Sequence, residues 1–278
     1  MVQPAIIQKI KAAIVALGIR NAGGDNPINI IGSGCIINTK GYLLTAAHVV
    51  KACHAEYMKQ VNDGNGKVRF AMYRRRPSGY EITEIEQFSF FEWDPNASED
   101  SKKLELDVAC GKPLDAPAQF PFLEIKDFVQ FNTLDDILMS GYPGGEYTFS
   151  IEPSHGLGSR FNPLIQQGRN SGLMPIDEES LPDGFFTDII GTSGSSGSPI
   201  TDTEGKIIAV ACWVIPAALV QNDKAILNAF SPVGLVYALG NNKFLHWVQS
   251  VVKYYDTGEL DAPKVASRLL KFEHKDSK

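Results

Sequence analysis

The feature that most constrains the fold is a succession of short apolar runs separated by turns rich in Gly, Pro and Asn. Residues 68–73 and 81–86 alternate apolar and polar side chains, which is typical of strands with one face in water. Helical spacing occurs only near the ends, at 4–17 and 233–255, and residues 14–19 fit a strand equally well. Because helices and strands do not alternate, the pattern favours an antiparallel barrel or sandwich over a parallel sheet.

Composition excludes several classes of partner. The chain has 278 residues, 44% of them hydrophobic, and a net charge of −6. An acidic chain offers no broad basic surface, so nucleic acid is not an expected partner. The basic run at 73–77 is read as a solvated loop or strand end. No apolar run is long enough to span a bilayer, so no membrane partner is expected either.

The N-terminus and the cysteines bear on the cellular compartment. Residues 9–19 make a poor secretory signal, since the apolar stretch is short and no small-residue cleavage site follows. We therefore expect a cytoplasmic protein, with non-classical secretion as the alternative. Cys35, Cys53, Cys110 and Cys212 form no CxxC pair, so neither a metal nor another cofactor is expected. Free buried thiols are expected, with a Cys35–Cys53 pair in an oxidising setting as the alternative.

The stretch at 191–200, Gly-Thr-Ser-Gly-Ser-Ser-Gly-Ser-Pro-Ile, has two interpretations. Glycine and serine without bulky neighbours are common in flexible linkers. However, an apolar run typical of a strand follows directly, at 206–214. Gly194 and Gly197 flank Ser196 and permit a tight turn whose N–H groups can hold an anion. A serine in such a turn can attack a carbonyl while those N–H groups stabilise the oxyanion.

A base and an acid in suitable positions upstream would favour the nucleophilic turn over the flexible linker. His48 comes just after the strand at 42–45, where a lone histidine is more often structural. Asp107 lies inside the apolar run 104–110, where a carboxylate is costly unless it has a partner. A histidine ring N–H is such a partner, and the acid would then hold the tautomer of the ring. The alternative for Asp107 is a strand-end residue that faces water.

Taken together, these segments resemble the trypsin-like (chymotrypsin-fold) serine peptidases, most closely their bacterial HtrA and glutamyl-endopeptidase branches. The resemblance covers residues from about 12 to 250. It is carried by Gly-Ser-Gly-Cys at 32–35 with Thr-Ala-Ala-His at 45–48, Asp-Val-Ala at 107–109, Gly-Tyr-Pro-Gly at 141–144, Thr-Asp at 187–188, and Gly-Ser-Ser-Gly-Ser-Pro at 194–199.

The resemblance implies an all-β fold of two six-stranded antiparallel barrels, to which we add an N-terminal and a C-terminal helix. The expected domains are residues 1–120 with His48 and Asp107, residues 121–255 with Ser196, and a charged tail at 256–278. The implied activity is that of a serine endopeptidase acting on proteins or peptides. Ser196 would be the nucleophile, because it alone among its neighbouring serines has glycines at −2 and +1 and proline at +3.

In the same way the resemblance assigns the remaining roles. His48 would act as general base and acid, and Asp107 would orient it. The backbone N–H groups of Gly194 and Ser196 would form the oxyanion hole. The substrate pocket would involve Ile190, Ala211 and Cys212. An apolar Ile190, together with a 210–213 segment that lacks histidine, favours small or aliphatic P1 residues over basic or acidic ones.

Two departures from the family pattern bear on regulation. Ser195 stands where digestive members carry the aspartate that pairs with a newly cut N-terminus, so activation by propeptide cleavage is not expected. We also expect no PDZ domain after residue 250. We expect control by loop ordering or by a regulatory protein partner, with the loops 54–67, 92–103 and 152–184 as candidates. A catalytically silent scaffold that binds proteins is the alternative function.

Overall fold

The structure is a computed structural model. It describes residues 2–22, 27–64, 68–76, 79–91, 107–115, 119–127, 132–145, 162–174, 184–221, 224–238, 242–259 and 267–271.

The N-terminal half forms a six-stranded antiparallel barrel. Its strands are β1 (Ile14–Asn21), β2 (Pro27–Ile36), β3 (Leu43–Thr45), β4 (Val68–Arg76), β5 (Gly79–Phe91) and β6 (Ala109–Pro113). They are ordered β5-β4-β1-β2-β3-β6. The long strand β5 closes the ring, because residues 79–84 pair with β4 while residues 85–90 pair with β6.

The C-terminal half forms a second barrel. Its strands are β7 (Asp136–Gly141), β8 (Leu164–Met174), β9 (Gly184–Thr187), β10 (Pro199–Thr201), β11 (Ile207–Gln221) and β12 (Lys224–Ala238). They close in the order β10-β11-β12-β9-β8-β7. The predicted all-β fold of two six-stranded antiparallel barrels is therefore confirmed.

Three helices and one more strand complete the described elements: α1 (Pro4–Ala13), α2 (Ala47–Asn62), α3 (Asn242–Thr257) and β13 (Ser267–Lys271). The predicted N- and C-terminal helices are confirmed. Proline at the first position suits the start of α1, because it has no N–H that would need a partner. Strand β13 comes from the segment predicted to be a charged tail and pairs with β5 of the N-terminal barrel.

Helix α2 continues to Asn62, because its residues after Cys53 include good helix formers and keep one solvated face. One local prediction was wrong. Residues 233–238 belong to β12, where pairing with both β11 and β9 overrides their helical spacing. Strand β2 runs unbroken to Ile36 through its Gly-Ser-Gly, and its register with β1 shifts between Gly32 and Ile30.

The main hydrophobic core lies in the N-terminal barrel and extends under α1 and α3. All four cysteines are free and buried, as predicted. Burial raises the pKa of the Cys35, Cys53 and Cys110 thiols, so these side chains pack as small neutral hydrophobes. None of the described helices combines the length and apolar character of a bilayer span. Among the same residues no cluster of His, Cys, Asp or Glu could hold a metal ion.

Candidate active site

Strand pairing brings His48 and Asp107 together. His48 is the second residue of α2, directly after β3, and Asp107 lies just before β6. Because β3 and β6 are paired, with Thr45 opposite Ala109, the residues that flank these strands meet at one end of the barrel. The carboxylate of Asp107 lies 2.5 Å from His48 Nδ1 and also accepts the His48 backbone N–H at 2.7 Å.

The two contacts to Asp107 fix both the position and the rotation of the imidazole. The Asp107 backbone carbonyl adds a third contact by accepting the N–H of Ala47 at 3.1 Å. The Asp107 side chain is only 12% exposed, whereas the His48 side chain is 43% exposed. The carboxylate is thus shielded from water while the rest of the ring remains accessible, as a general base requires.

The Ser196 turn has a backbone that requires glycine. Gly194 has φ of +86° and Gly197 has φ of +81°, in the left-handed region that other residues rarely adopt. A Cβ on Gly194 would collide with the backbone of Tyr142 and Gly145. The stretch 191–200 is therefore a packed turn between β9 and β10 and not a flexible linker.

Three successive peptide groups in this turn are fixed by hydrogen bonds. The Ser193 carbonyl accepts the N–H of Gly144 at 2.5 Å. In the next peptide, Ser33 Oγ donates to the Gly194 carbonyl at 2.7 Å, and the N–H of Ser195 donates to Thr192 at 3.0 Å. The third carbonyl, that of Ser195, accepts the N–H of Ser198 at 3.0 Å.

This arrangement leaves the N–H groups of Gly194 and Ser196 available. The C=O and N–H of a trans peptide point in opposite directions, so each N–H points away from the group that holds its carbonyl. Within the described residues neither N–H donates a hydrogen bond. Two preorganised N–H donors close to a nucleophilic serine along the chain can stabilise an oxyanion. These are the two groups that the sequence predicted for the oxyanion hole.

Contacts across the barrel interface place the Ser196 turn against β2 and against the end of β3, the strand that precedes His48. The Ser196 carbonyl accepts the N–H of Ser33 at 2.9 Å. A Cβ on Gly197 would collide with Thr45 Oγ1 and the Ser33 carbonyl, and Thr45 is three residues before His48. Over the described part of the chain, no hydrogen bond joins Ser196 Oγ to the His48 ring.

The residues predicted for the substrate pocket have different environments. The Ile190 side chain is 55% exposed, next to the turn. Ala211 is buried, and its backbone bonds to Gly197 and Ser198 at 2.7 and 2.8 Å. Cys212 is buried and directs its thiol at the carbonyls of Asp107 and Val210, both at 3.3 Å. The loop 92–103 and much of 152–184 lie outside the described residues, and most of 54–67 belongs to α2.

Sequence reasoning missed the contacts that two residues make with the site. Cys212 was assigned to the pocket, although its Sγ donates to the Asp107 carbonyl. Ser33 was noted only within the Gly-Ser-Gly of β2, yet it contacts both Gly194 and Ser196. A serine between two glycines in an apolar strand was the available signal, since a buried hydroxyl requires a partner.

Comparison with known families agrees with the fold. Residues 32–210 match the family model described as the trypsin-like peptidase domain. The match covers more than half of the chain, so the protein belongs to the trypsin-like peptidase family. It is a serine peptidase, and the family implies protein substrates. No curated protein sequence matches the chain at a significant level.

Solved structures of low sequence identity share the fold. The apo protease domain of MamO from Magnetospirillum magneticum aligns with a TM-score of 0.54 at 14% identity, covering 89% of this chain and 98% of that one. A serine endoprotease from Yersinia pestis gives 0.52 at 16% identity, covering 91% and 66% of the two chains. Deg5 gives 0.53 at 17% identity, covering 90% and 92%.

Proposed function

We propose that the protein is a serine endopeptidase in which Ser196, His48 and Asp107 form the catalytic triad. The observation that carries this proposal is the combination of a shielded carboxylate on His48 Nδ1 with two unused N–H groups beside Ser196. The first supplies an oriented base, and the second supplies stabilisation of developing negative charge. Both are needed for acyl transfer by a serine.

The proposed reaction has two halves. Ser196 Oγ attacks the carbonyl carbon of the scissile peptide bond as its proton passes to His48 Nε2. The oxyanion that forms accepts hydrogen bonds from the backbone N–H groups of Gly194 and Ser196. The carbon–nitrogen bond then breaks, and His48 returns the proton to the leaving amine. Water attacks the acyl-enzyme in the same manner, which releases the carboxylic acid and restores the Ser196 hydroxyl.

Asp107 keeps the proton of the ring on Nδ1, so that Nε2 is free to accept. Its carboxylate also stabilises the imidazolium that forms when Ser196 loses its proton. The contact with the His48 backbone N–H prevents the carboxylate from rotating away from the ring. Because both carboxylate oxygens are used on one residue, Asp107 holds the orientation of the whole catalytic histidine.

For specificity we propose small or aliphatic P1 residues. Support comes from the apolar Ile190, which is exposed beside the Ser196 turn and is therefore accessible to a substrate side chain. An apolar contact offers no partner for a buried charge, so Lys, Arg, Asp and Glu should be disfavoured. A cleavage-site profile on a proteome-derived peptide library tests this; enrichment of basic or acidic P1 residues would refute it.

For regulation we propose control by loop ordering or by a protein partner rather than by propeptide cleavage. Ser195 is buried and its Oγ accepts the N–H of Thr192 at 3.2 Å, so the residue before the nucleophile is already engaged within its own turn. A new N-terminus would find no carboxylate there. To test this, the protein is cut by trypsin within its N-terminal residues only, and its specific activity is compared with that of the uncut protein on the same substrate. We expect the two specific activities to be equal.

A fluorophosphonate probe tests the triad directly. We expect the wild type to acquire one probe per molecule and the Ser196→Ala variant to acquire none. The alternative function, a catalytically silent trypsin-like scaffold that binds proteins, predicts no labelling of either. Equal behaviour of wild type and variant would therefore refute the proposed activity. The probe is suited to a latent enzyme, because it needs no knowledge of the natural substrate.

A further inference from the structure

Ser33 connects the two barrels at the candidate oxyanion hole. It lies on β2 of the N-terminal barrel, and its side chain has no exposed surface. Its backbone N–H donates to the Ser196 carbonyl at 2.9 Å, and its own carbonyl accepts Thr45 Oγ1 at 2.7 Å. Both backbone groups are thus engaged, so Ser33 is held in one position relative to the two barrels.

The hydroxyl of Ser33 binds two loops of the C-terminal barrel at once. It donates to the Gly194 carbonyl at 2.7 Å and accepts the N–H of Tyr142 at 2.8 Å. Donating and accepting are both within the capacity of one hydroxyl. A Cβ on Gly141 would lie 2.8 Å from the same oxygen, so glycine at 141 leaves room for this contact.

Each of these bonds bears on one wall of the hole. The bond to Gly194 fixes the peptide that follows the first N–H donor. Glycine with positive φ has no side chain to restrict it, so this peptide is held by two bonds, that of Ser33 Oγ to its carbonyl and that of its own N–H to Thr192 within the turn. The bond from Tyr142 holds the turn that contains Gly144, and Gly144 in turn holds the Ser193 carbonyl. That carbonyl belongs to the same peptide group as the Gly194 N–H.

We propose that Ser33 is a positioning residue for acyl transfer, whose hydroxyl keeps the Gly194 N–H directed at the oxyanion by holding Gly194 and the Tyr142–Gly144 turn together. This role rests on the proposed function of Ser196. Ser33 does not contact the reacting atoms. It acts through two peptide groups, and it does so from the other barrel, so correct docking of the barrels becomes a condition for a formed oxyanion hole.

The test measures phosphonylation of Ser196 by a fluorophosphonate over a range of probe concentrations, which separates the maximal rate constant from the apparent affinity. Ser196 Oγ displaces fluoride from phosphorus, its proton passes to His48, and the phosphoryl oxygen occupies the oxyanion hole. In Ser33→Ala we expect the maximal rate constant to fall about 10- to 100-fold, less than loss of a whole donor causes. The apparent affinity should change little.

Ser89→Ala is the matched control. Ser89 is also fully buried in the N-terminal barrel, and its hydroxyl is hydrogen-bonded to the Tyr255 hydroxyl at 3.0 Å, away from the Ser196 turn. Both variants lose one buried hydroxyl, so a merely structural role predicts similar effects. We expect Ser89→Ala to retain the wild-type maximal rate constant. Equal rate losses in the two variants, or a change in apparent affinity alone for Ser33→Ala, would overturn the proposal.

Thermal unfolding of every variant identifies the conditions where all are folded, and the rates are compared there. If Ser33→Ala does not fold, Ser33→Cys replaces it, since a thiol is a weak donor of similar size. The cysteine variant should then be labelled more slowly than the wild type; a wild-type rate would contradict the positioning role. Failure of the wild type itself to be labelled would refute the proposed function, which separates the two hypotheses.

Discussion

His48 and Asp107 are held mainly by contacts within the N-terminal barrel, to which the Cys212 thiol of the C-terminal barrel adds one weak hydrogen bond. The turn that carries Ser196 depends on both barrels. Asp107 binds the ring and the backbone of His48, and the pairing of β3 with β6 holds these two residues together. The Ser196 turn is instead held by Ser33 of the other barrel, whose hydroxyl donates to the Gly194 carbonyl and whose backbone N–H donates to the Ser196 carbonyl.

The difference indicates that the two halves of the site respond differently to change. The acid–base pair should survive any disturbance that leaves the N-terminal barrel folded. The oxyanion hole should be lost earlier, because it also requires that the barrels stay docked. A site divided in this way can be switched off by a small shift between barrels, which agrees with the proposed control by loops or a partner.

Replacing Ser196 by alanine should have the largest effect. Removal of the nucleophile lowers kcat by about 10⁴- to 10⁶-fold in serine peptidases. The change should leave folding intact, because Ser196 contacts Ser33 through its carbonyl and not its side chain. Hydrolysis of an unfolded protein substrate measures it. Ser250→Ala on α3 is the control and should keep wild-type activity; an active Ser196→Ala variant would contradict the assignment.

Asp107→Asn should have the next largest effect, and it tests the half of the site that lies within one barrel. Asparagine keeps the size of the side chain but favours the wrong tautomer of His48, which costs about 10⁴-fold in kcat in the well-studied serine peptidase case. We expect kcat to fall while KM changes little. Asp202→Asn, which breaks the contact with Lys126 at 2.7 Å, is the control and should affect stability alone.

Cys212→Ala should lower kcat only slightly, through its contact with Asp107 of the acid–base pair. Its thiol donates to the Asp107 carbonyl at 3.3 Å, but that carbonyl also accepts the N–H of Ala47. Because one donor remains, we expect a loss of only about 2- to 5-fold in kcat, in keeping with a weak thiol hydrogen bond. Cys212→Ser, with a better donor, should match or exceed the wild type. A loss as large as that of Asp107→Asn would show that Cys212 does more than support the acid.

Glu81→Gln should change stability without changing activity. Burial alone would raise the pKa of Glu81, but hydrogen bonds from Arg76 and Arg74, with their charges, lower it. A lowered pKa in the folded state stabilises the protein above the unfolded pKa of about 4.3, and this contribution is lost as the pH falls through the folded value. At pH 7 we expect Tm to drop by about 2 to 4 °C.

The Tm difference between wild type and Glu81→Gln should shrink as the pH falls below about 4, where the unfolded-state carboxyl is protonated. Glu84→Gln serves as the control in the same hairpin, since its nearest contact with Arg69 is longer, at 3.8 Å. The fluorophosphonate labelling rate at pH 7 should equal that of the wild type. A slower rate would mean that this part of the N-terminal barrel is coupled to the site.

The sequence predicted those features that local residues determine. His48, Asp107 and Ser196 each lie in a short motif, and the glycines around Ser196, which were expected to permit a tight turn, adopt positive φ. Ser33 could not be assigned in this way, because its partner Gly194 is 161 positions away along the chain. The end of β12 was also mispredicted, because pairing with β9 and β11 decides it.

Peptide mass mapping of the fluorophosphonate-labelled wild-type protein identifies the modified residue and so decides whether Ser196 is the nucleophile. We predict a single adduct on Ser196, with Ser193, Ser195 and Ser198 unmodified although they share its peptide. An adduct on one of those three serines, or no adduct on the folded protein, would contradict it.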